Sequence, residues 1–221
     1  MKKLLFILGT TASLVAQSQI YEESRYQLML NYKFKEKNTI SFQPEMRVNN
    51  FFEKTTITLW RLVYIRKLSD KHYFSLGANW FNNWYNYEQT GEELRAHIEA
   101  GFKDKYGKWT YSNRYRIDYR NFYTGNWDYI NSTVRVRYLI NWSRDLFHKE
   151  NGQKLTLNLA NEVFLNVAGT KSFKIYNQNR LGGYLVYKLN DHIQIRSTYW
   201  WEYHSKGNYN HQWWIQLGYD F

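Results

Sequence analysis

The sequence of 221 residues contains no cysteine, a single proline and, beyond its first residues, no long unbroken hydrophobic run. The absence of cysteine excludes disulfides, thiolate metal sites and a lipid-modified N-terminal cysteine. A helical membrane span needs about 18 or more consecutive apolar residues, and no later segment approaches that length. The sequence therefore describes neither a disulfide scaffold nor a helical membrane protein.

Aromatic residues are abundant, at 20% of the chain, with 10 Trp and 21 Tyr. The mean hydropathy is nevertheless only −0.71. Strands in which apolar and polar residues alternate reconcile these two values, because each apolar residue is then followed by a polar one. The composition favours an all-β protein of one domain, and no linker-like stretch divides the chain.

The segment Trp109–Trp142 has the pattern of a β-hairpin with two chemically opposite faces. One parity of its arms is apolar and aromatic: Trp109, Tyr111, Tyr115, Ile117, Tyr119, Val134, Val136, Tyr138, Ile140 and Trp142. The other parity carries arginines with a carboxylate among them: Arg114, Arg116, Asp118, Arg120, Arg135 and Arg137. Because successive side chains of a strand point to opposite faces, this pattern predicts lipid outside and a hydrated, salt-bridged interior.

The first residues have the features of a secretory signal peptide. Lys2 and Lys3 precede the apolar run Leu4–Val15, and Ala16-Gln17-Ser18 offers a small-x-small cleavage site, with cleavage after Ala16 as the alternative. The sequence thus predicts a signal peptide over residues 1–18 and a barrel domain over residues 19–221. Removing two lysines leaves 28 basic and 19 acidic residues, a net charge of +9. We expect no nucleic-acid partner, because the arginines alternate with apolar residues instead of forming one exposed stripe.

Eleven segments have the alternating pattern of strands, and none shows a sustained helical period. They are Arg25–Phe34, Thr39–Asn49, Thr56–Leu68, Tyr73–Tyr87, Leu94–Lys103, Trp109–Phe122, Tyr129–Trp142, Lys154–Val167, Lys174–Leu189, Ile193–Tyr203 and Asn210–Phe221. Bacterial barrels of one chain have an even number of strands, so we expect 12 with one more near Ile20–Glu23, or else 10. Pro44 falls inside a predicted strand and suggests a bulge there.

The predicted connections alternate between short polar turns, typical of the periplasmic side, and longer outer loops such as Glu88–Glu93. The segment Ser143–Gln153 is the long exception among the turns. Aromatic residues concentrate at strand ends, as in the two girdles of a membrane barrel; they include Tyr73, Phe122 and Trp214. Leu217, Tyr219 and the terminal Phe221 alternate like the C-terminal signal that outer-membrane barrels present to their insertion machinery.

Continued around the barrel, the polar parity gives a candidate lumen network: Arg47, Arg95, Glu99, Arg114, Arg116, Asp118, Arg120, Arg135, Arg137, Glu162, Arg180, Arg196 and Glu202. A barrel of 10 to 12 strands is only slightly wider than one that side chains can fill. Its buried guanidinium groups therefore need carboxylate partners. The favoured interpretation is a structural salt-bridge plug, and the alternative is an anion-attracting pore or binding site.

No arrangement of residues identifies a catalytic centre. His97 with Glu99, and Glu202 with His204, form same-face carboxylate–imidazole pairs, but the sequence places no nucleophile beside either. The six histidines show no metal-ligand spacing, and no glycine-rich phosphate loop is present. We therefore predict no catalytic residue, no metal and no cofactor.

Several motifs resemble an outer-membrane family catalogued as domain of unknown function twenty-four-ninety. They are Arg114-Tyr115-Arg116-Ile117-Asp118-Tyr119-Arg120, Arg135-Val136-Arg137-Tyr138, Asn161-Glu162-Val163-Phe164-Leu165-Asn166 and Gln178-Asn179-Arg180. The resemblance extends from about Tyr26 to Phe221, although the family usually carries Glu where this chain has Asp118. It implies an outer-membrane β-barrel and no particular activity.

The sequence as a whole predicts an antiparallel transmembrane β-barrel in the outer membrane of a Gram-negative cell, reached after secretion across the inner membrane. The expected role is structural or surface-interacting, with a narrow anion-attracting pore or binding barrel as the alternative and a lipid-modifying enzyme as the second alternative. The expected partners are outer-membrane lipid, lipopolysaccharide and the barrel-insertion machinery, with a small anionic solute as a further candidate.

Overall fold

A computed structural model describes residues 21–49, 54–85, 88–169, 175–205 and 207–221. The predicted signal peptide lies outside these residues. Within them the chain forms strands β1 (Tyr21–Phe34), β2 (Asn38–Phe42), β3 (Glu45–Asn49), β4 (Lys54–Lys67), β5 (His72–Tyr85), β6 (Glu88–Tyr106), β7 (Trp109–Thr124), β8 (Tyr129–His148), β9 (Lys154–Gly169), β10 (Tyr176–Lys188), β11 (Ile193–His204) and β12 (Tyr209–Asp220). The predicted all-β class is confirmed, and none of this described chain forms a helix suited to crossing a membrane.

The strands close into one barrel, in which β4 to β12 each pair with their neighbours along the chain. β2 and β3 lie end to end, because both pair with β1 on one side and with β4 on the other. The twelve strands therefore occupy eleven positions, which confirms the predicted number of about 12. Every pair is antiparallel except the closing pair of β1 with β12, which is parallel.

The parallel closing pair follows from the odd number of positions. Strands that alternate in direction around a ring of eleven must meet in the same direction where the ring closes. Tyr21 lies beside Asn210 and Asn31 beside Asp220, so β1 and β12 run side by side in step. The described residues near Ile20–Glu23 begin β1 and do not form an additional strand.

Pro44 separates β2 from β3 without changing their pairing. The Leu28 N–H donates to the Pro44 carbonyl (3.0 Å), but Pro44 has no N–H with which to return the bond. The predicted bulge at Pro44 is therefore wrong. The hydrogen-bond ladder is interrupted at Pro44, but β2 and the start of β3 keep the same register against β4. The register shift of β3 against β4 falls later, between Arg47 and Val48.

Two segments predicted as connections are partly strand. β6 begins at Glu88, within the predicted outer loop, and β8 continues to His148, beyond the predicted start of a long turn. Both extensions pair with neighbouring strands that reach the same height. Polar side chains do not end a ladder when the neighbouring backbone still offers hydrogen-bond partners.

The two faces of the barrel reverse the usual distribution of side chains. Among the described residues, seven hydrophobic side chains are buried against 24 polar or charged ones, while 37 large hydrophobic side chains are exposed. Tyr73, Phe122 and Trp214 depart from the predicted girdles, because they lie on the inward face with the arginines. The barrel thus has an apolar exterior and a polar interior.

Candidate functional site

The centre of the lumen contains a buried Arg–carboxylate network, and Asp118 on β7 is one of its hubs. Arg116 donates from Nε to Asp118 Oδ1 (2.6 Å), and Arg135 donates from Nη2 to Oδ2 (3.0 Å). Arg137 Nη1 lies 3.7 Å from the same Oδ2. Asp118 is 0% exposed. Three arginines from β7 and β8 therefore share one carboxylate that water does not reach.

Glu162 on β9 is the second central hub and is also 0% exposed. Arg114 and Arg137 donate to its Oε1, at 2.7 and 2.6 Å. Arg180 donates to its Oε2 from both Nε (2.9 Å) and Nη2 (2.5 Å). Arg137 contacts Asp118 as well as Glu162, so the two hubs form one network across β7 to β10.

Glu99 joins the network from β6. Its Oε2 lies 3.4 Å from Arg114 Nε and 3.9 Å from Arg116 Nη1, and its Oε1 accepts from the Tyr73 hydroxyl (3.0 Å). Gly101 lies beside the Tyr73 ring, where a Cβ would be 2.0 Å from Tyr73 Cε1. The absence of a side chain at this glycine is what lets the tyrosine reach the carboxylate.

Two further hubs, Glu45 and Glu93, are absent from the network predicted by the sequence. Glu93 accepts from Arg120 at both oxygens (2.7 and 3.0 Å) and from Arg95 (2.7 Å). Sequence reasoning placed Glu93 in a loop. The spacing Glu93-x-Arg95 would have identified it, because residues two apart on a strand share a face.

Glu45 connects three arginines at one side of the barrel. It accepts from Arg47 Nε (2.8 Å), and Arg25 and Arg61 each lie 3.9 Å away. Arg25 also pairs with Glu23. Glu23 and Glu45 each precede an arginine by two residues, which is the same spacing as in Glu93-x-Arg95. Sequence reasoning included Glu45 in the predicted strand Thr39–Asn49 but did not assign it to the network.

Glu202 and Arg196 are both predicted network members, but among the described residues Glu202 forms no ion pair with an arginine and Arg196 forms none with a carboxylate. Glu202 accepts from Gln178 (2.5 Å) and Gln212 (2.7 Å), and its Oε2 lies 3.2 Å from His204 Nε2. Arg196 lies over the Tyr184 ring at 5.0 Å, and its Nε has no hydrogen-bond partner among the described residues. The remaining predicted charges all take part in ion pairs: Arg47, Arg95, Glu99, Arg114, Arg116, Asp118, Arg120, Arg135, Arg137, Glu162 and Arg180.

Aromatic rings pack against many of these guanidinium groups. Arg95 lies 4.2 Å from the centre of the Phe81 ring, and Arg120 lies 4.6 Å from that of Phe122. The Phe164 ring contacts Arg135, Arg137 and Arg180 of the two central hubs. The Trp214 ring contacts Arg180 as well, together with Arg25. Stacking occupies the flat faces of the guanidinium groups and leaves their N–H edges for hydrogen bonds.

A cavity of about 430 Å³ lies within the lumen, at the end where β3–β4, β5–β6, β7–β8 and β11–β12 are joined; this cavity is here named the arginine chamber. Its wall contains eight arginines, three glutamates and four of the supporting rings. The wall residues include Glu23, Arg25, Arg47, Arg61, Phe81, Glu93, Arg95, Arg120, Phe122, Arg135, Arg137, Phe164, Arg180, Glu202, Gln212 and Trp214. Such a surface favours anions and repels cations.

The histidine pairs show no catalytic arrangement. The predicted contact between His204 and Glu202 is present, whereas His97 Nδ1 lies 3.1 Å from Asn79 Nδ2 and has no bond to Glu99. Neither histidine contacts a hydroxyl group among the residues that the structure describes. Within the same part of the chain, no cluster of His, Asp or Glu is arranged to hold a metal ion.

A serine–histidine contact occurs at the opposite end of the barrel, in the turn between β4 and β5. Ser69 Oγ lies 3.1 Å from His72 Nδ1, but the same oxygen accepts from the backbone N–H groups of Lys71 (3.2 Å) and His72 (3.1 Å). Both side chains are exposed. The contact is explained by a hydroxyl group that caps a tight turn.

The residues of the predicted insertion signal lie on the outer face of β12. Leu217, Tyr219 and Phe221 are all exposed, and the Tyr219 and Phe221 rings contact each other at a centroid distance of 4.8 Å. Their alternation with inward-facing Gln216 and Gly218 keeps them on the apolar exterior. Recognition of this strand by insertion machinery stays a prediction.

The sequence matches the family described as Protein of unknown function (DUF2490) over residues 25–213. The match covers most of the chain, so the chain belongs to this family, as the motifs around Asp118 and Glu162 predict. No curated protein matches the chain.

Proposed function

We propose that this DUF2490 protein is an outer-membrane β-barrel with a structural or surface-interacting role, whose lumen is closed by the Arg–carboxylate network. The observation that carries the proposal is the reversal of its two faces, with charged residues buried and large hydrophobic residues exposed. An apolar belt around a closed barrel is stable in lipid, where no strand edge is left unpaired. In water the same belt would drive aggregation.

A closed lumen is supported by the two central hubs. Asp118 and Glu162 are inaccessible to water, and arginines from the three strands β7, β8 and β10 converge on them. Moving one guanidinium group aside to admit ions would break at least one buried ion pair, at a cost of about 3–5 kcal/mol. The same network stiffens the barrel and favours a role that depends on a fixed outer surface.

An anion-selective pore is the second candidate function, and the arginine-rich wall of the chamber favours it. Fixed positive charge raises the local concentration of anions and would select them over cations. The two candidates differ in one measurable property. A closed barrel gives no steady current in a planar bilayer, whereas a pore conducts continuously with anion selectivity.

The test begins with the full chain expressed in a Gram-negative host, followed by membrane fractionation. We expect the protein in the outer membrane, extractable only with detergent, and we expect no steady conductance after reconstitution. Recovery of folded protein in the aqueous fraction without detergent would overturn the membrane assignment. Steady anion conductance of the unmodified protein would overturn the closed lumen.

A charge-neutral variant tests whether the network is what closes the lumen. Replacing Arg116 and Asp118 together by alanine removes one base and one acid from the central hub, and we expect discrete conductance steps. The matched control is Lys154→Ala with Asp145→Ala, an ion pair of 2.8 Å whose side chains are exposed at the end of β8 and β9. Conductance in the control as well would point to general leakiness of the barrel.

A further inference from the structure

We propose that the arginine chamber is a binding site for a small hydroxylated molecule that carries a phosphate group. Binding does not require the lumen to be closed or open, and it is measured on protein in detergent. The proposal therefore stands or falls separately from the proposed function. Three features of the chamber support it: the charge balance of its wall, the geometry of its arginines and the unsatisfied polar atoms on β12.

The chamber wall is not electrically balanced by its own carboxylates. Eight arginines line it, together with Glu23, Glu93 and Glu202. Glu45, Asp118 and Glu162 lie behind the wall and pair with some of these arginines. Eight arginines against six carboxylates leave a charge of +2, and two of the carboxylates behind the wall, Glu162 and Asp118, are also shared with arginines outside it. A dianion would complete the balance, and a phosphate monoester carries about −1.5 to −2 at neutral pH.

Arg61 on β4 is the arginine of the chamber with the weakest neutralisation. Its Nε donates to Asn79 Oδ1 (2.8 Å) and its Nη1 donates to Gln43 Oε1 (3.1 Å), so both of these acceptors are neutral. The nearest carboxylate oxygen, on Glu45, is 3.9 Å from Arg61 Nη2. A guanidinium group binds phosphate oxygens through two parallel N–H bonds. Arg61 is therefore the first contact that we assign to the phosphate.

The stacked rings define which part of the ligand the chamber recognises. The guanidinium carbons of Arg95, Arg120 and Arg25 lie over the rings of Phe81, Phe122 and Trp214, at 4.2, 4.6 and 4.4 Å from the ring centres respectively. These rings already have a guanidinium group on them and offer little free face for a second planar group. Recognition is thus left to N–H groups directed at anionic oxygens, and a flat aromatic ligand is disfavoured.

The β12 side of the chamber has polar atoms that the protein itself does not satisfy. Gln212 is 1% exposed, and its Oε1 has no hydrogen-bond partner among the described residues; the same holds for the buried Nε1 of Trp214. One of these atoms accepts and the other donates, which suits the hydroxyl groups of a ligand. Both atoms are covered by neighbouring protein atoms, so a ligand reaches them only when the Gln212 and Trp214 side chains turn toward the chamber. The cavity of about 430 Å³ is in the range of small-molecule pockets and exceeds the needs of phosphate alone.

Phosphorylated, hydroxyl-rich groups reach this barrel from two sources. One is a free sugar phosphate, and the other is the phosphorylated sugar of a lipopolysaccharide headgroup in the same membrane. Both present the same chemistry to Arg61 and to the β12 wall. Separate titrations with a soluble sugar phosphate and with lipopolysaccharide in mixed micelles distinguish the two sources, and competition between them shows whether they share the site. Only the lipopolysaccharide source rests on the proposed function.

The experiment is isothermal titration of the detergent-solubilised full chain with glucose 6-phosphate, inorganic phosphate, glucose and succinate. We expect saturable binding of glucose 6-phosphate at one site per chain, with the other three weaker by about tenfold or more. Equal affinity for succinate would overturn the phosphate assignment, and equal affinity for inorganic phosphate would overturn the assignment of an organic ligand. Absence of binding by all four probes and by lipopolysaccharide would overturn the site.

Matched variants locate the site within the lumen. Arg61→Gln removes the arginine with neutral partners and should weaken glucose 6-phosphate binding about tenfold or more. Arg196→Gln removes an equally inward-facing arginine outside the chamber wall and should leave binding unchanged. Equal losses in both folded variants would show a diffuse effect of net charge and overturn the site. Trp214→Phe keeps the ring but removes the Nε1 donor, and we expect a smaller loss that glucose 6-phosphate shows and inorganic phosphate does not.

Discussion

Ile117 and Asp118 are neighbours on β7, yet Ile117 is 48% exposed and Asp118 is 0% exposed. On the paired strand β8, Val136 is half-buried, whereas its neighbours Arg135 and Arg137 are buried. The inner face is held by a few shared carboxylates, so each of its members is costly to remove. The outer face consists of many interchangeable apolar side chains, so its stability depends on the absence of charge. The two faces should therefore respond differently to mutation.

The largest loss of stability is expected for a substitution at a central carboxylate of the inner face. Glu162→Gln keeps the shape of the side chain but removes the charge that Arg114, Arg137 and Arg180 share. Arg180 then loses its carboxylate partner, while Arg114 and Arg137 keep only longer contacts with other carboxylates. We expect the free energy of unfolding to fall by about 3–5 kcal/mol. Urea titration of the protein in liposomes measures the change.

The control for Glu162→Gln is the same substitution at Glu99. This carboxylate is more exposed and its two arginines lie at 3.4 and 3.9 Å, so a smaller loss of about 1–3 kcal/mol is expected. A loss at Glu99 that equals the loss at Glu162 would mean that burial does not set the strength of these hubs.

The next effect tests the outer face. Val136→Arg places a charge on the apolar exterior opposite Ile117, near the middle of β7 and β8. We expect a loss of about 2–4 kcal/mol in liposomes, because a cation at mid-depth loses its hydration. Thr133→Arg lies opposite Arg120 on the inward parity and should cost less. A reversed order in urea titrations would show that the two faces have been assigned the wrong way round.

The sequence predicts the faces better than it predicts the contacts within them. Alternation of apolar and polar residues along each strand was sufficient for the barrel and for the buried arginines, because strand geometry fixes which residues share a face. The assignment of each arginine to a carboxylate depends on cross-strand register and on side-chain reach. Neither follows from one sequence, so Glu202 was expected to pair with arginine and instead binds Gln178, Gln212 and His204.

The way in which the barrel closes could not be predicted from the sequence pattern either. Eleven alternating segments can be counted, but the rule of an even number leads to a search for a further strand near Ile20–Glu23. The parallel pairing of β1 with β12 makes that strand unnecessary. Glu45 lies in the predicted strand Thr39–Asn49 but was not assigned to the network, and the pairing continues in register through Pro44 beside it.

A third effect comes from the packing of the inner face. An added Cβ at Gly77 would lie 2.1 Å from His97 Cε1, so Gly77→Ala forces the imidazole away from its contact with Asn79. We expect a loss of about 1–3 kcal/mol, which is typical of overpacking. In the double variant with His97→Ala, the alanine at Gly77 should cost almost nothing beyond the loss caused by His97→Ala alone. Additive losses would show that the glycine is required for some other reason.

The smallest effect on stability is expected for an ion pair that, unlike the central hubs, is exposed to solvent. Lys154 Nζ contacts Asp145 Oδ2 at 2.8 Å, and both side chains are partly exposed at the end of the barrel. Solvent screening limits such a pair to about 0–1 kcal/mol, so Lys154→Ala should change the free energy of unfolding by no more than that. Raising the salt concentration should remove this difference while leaving the effect of Glu162→Gln in place, since buried pairs are screened much less. Equal salt dependence of the two variants would mean that water and ions reach Glu162, and that the lumen is not closed at its centre.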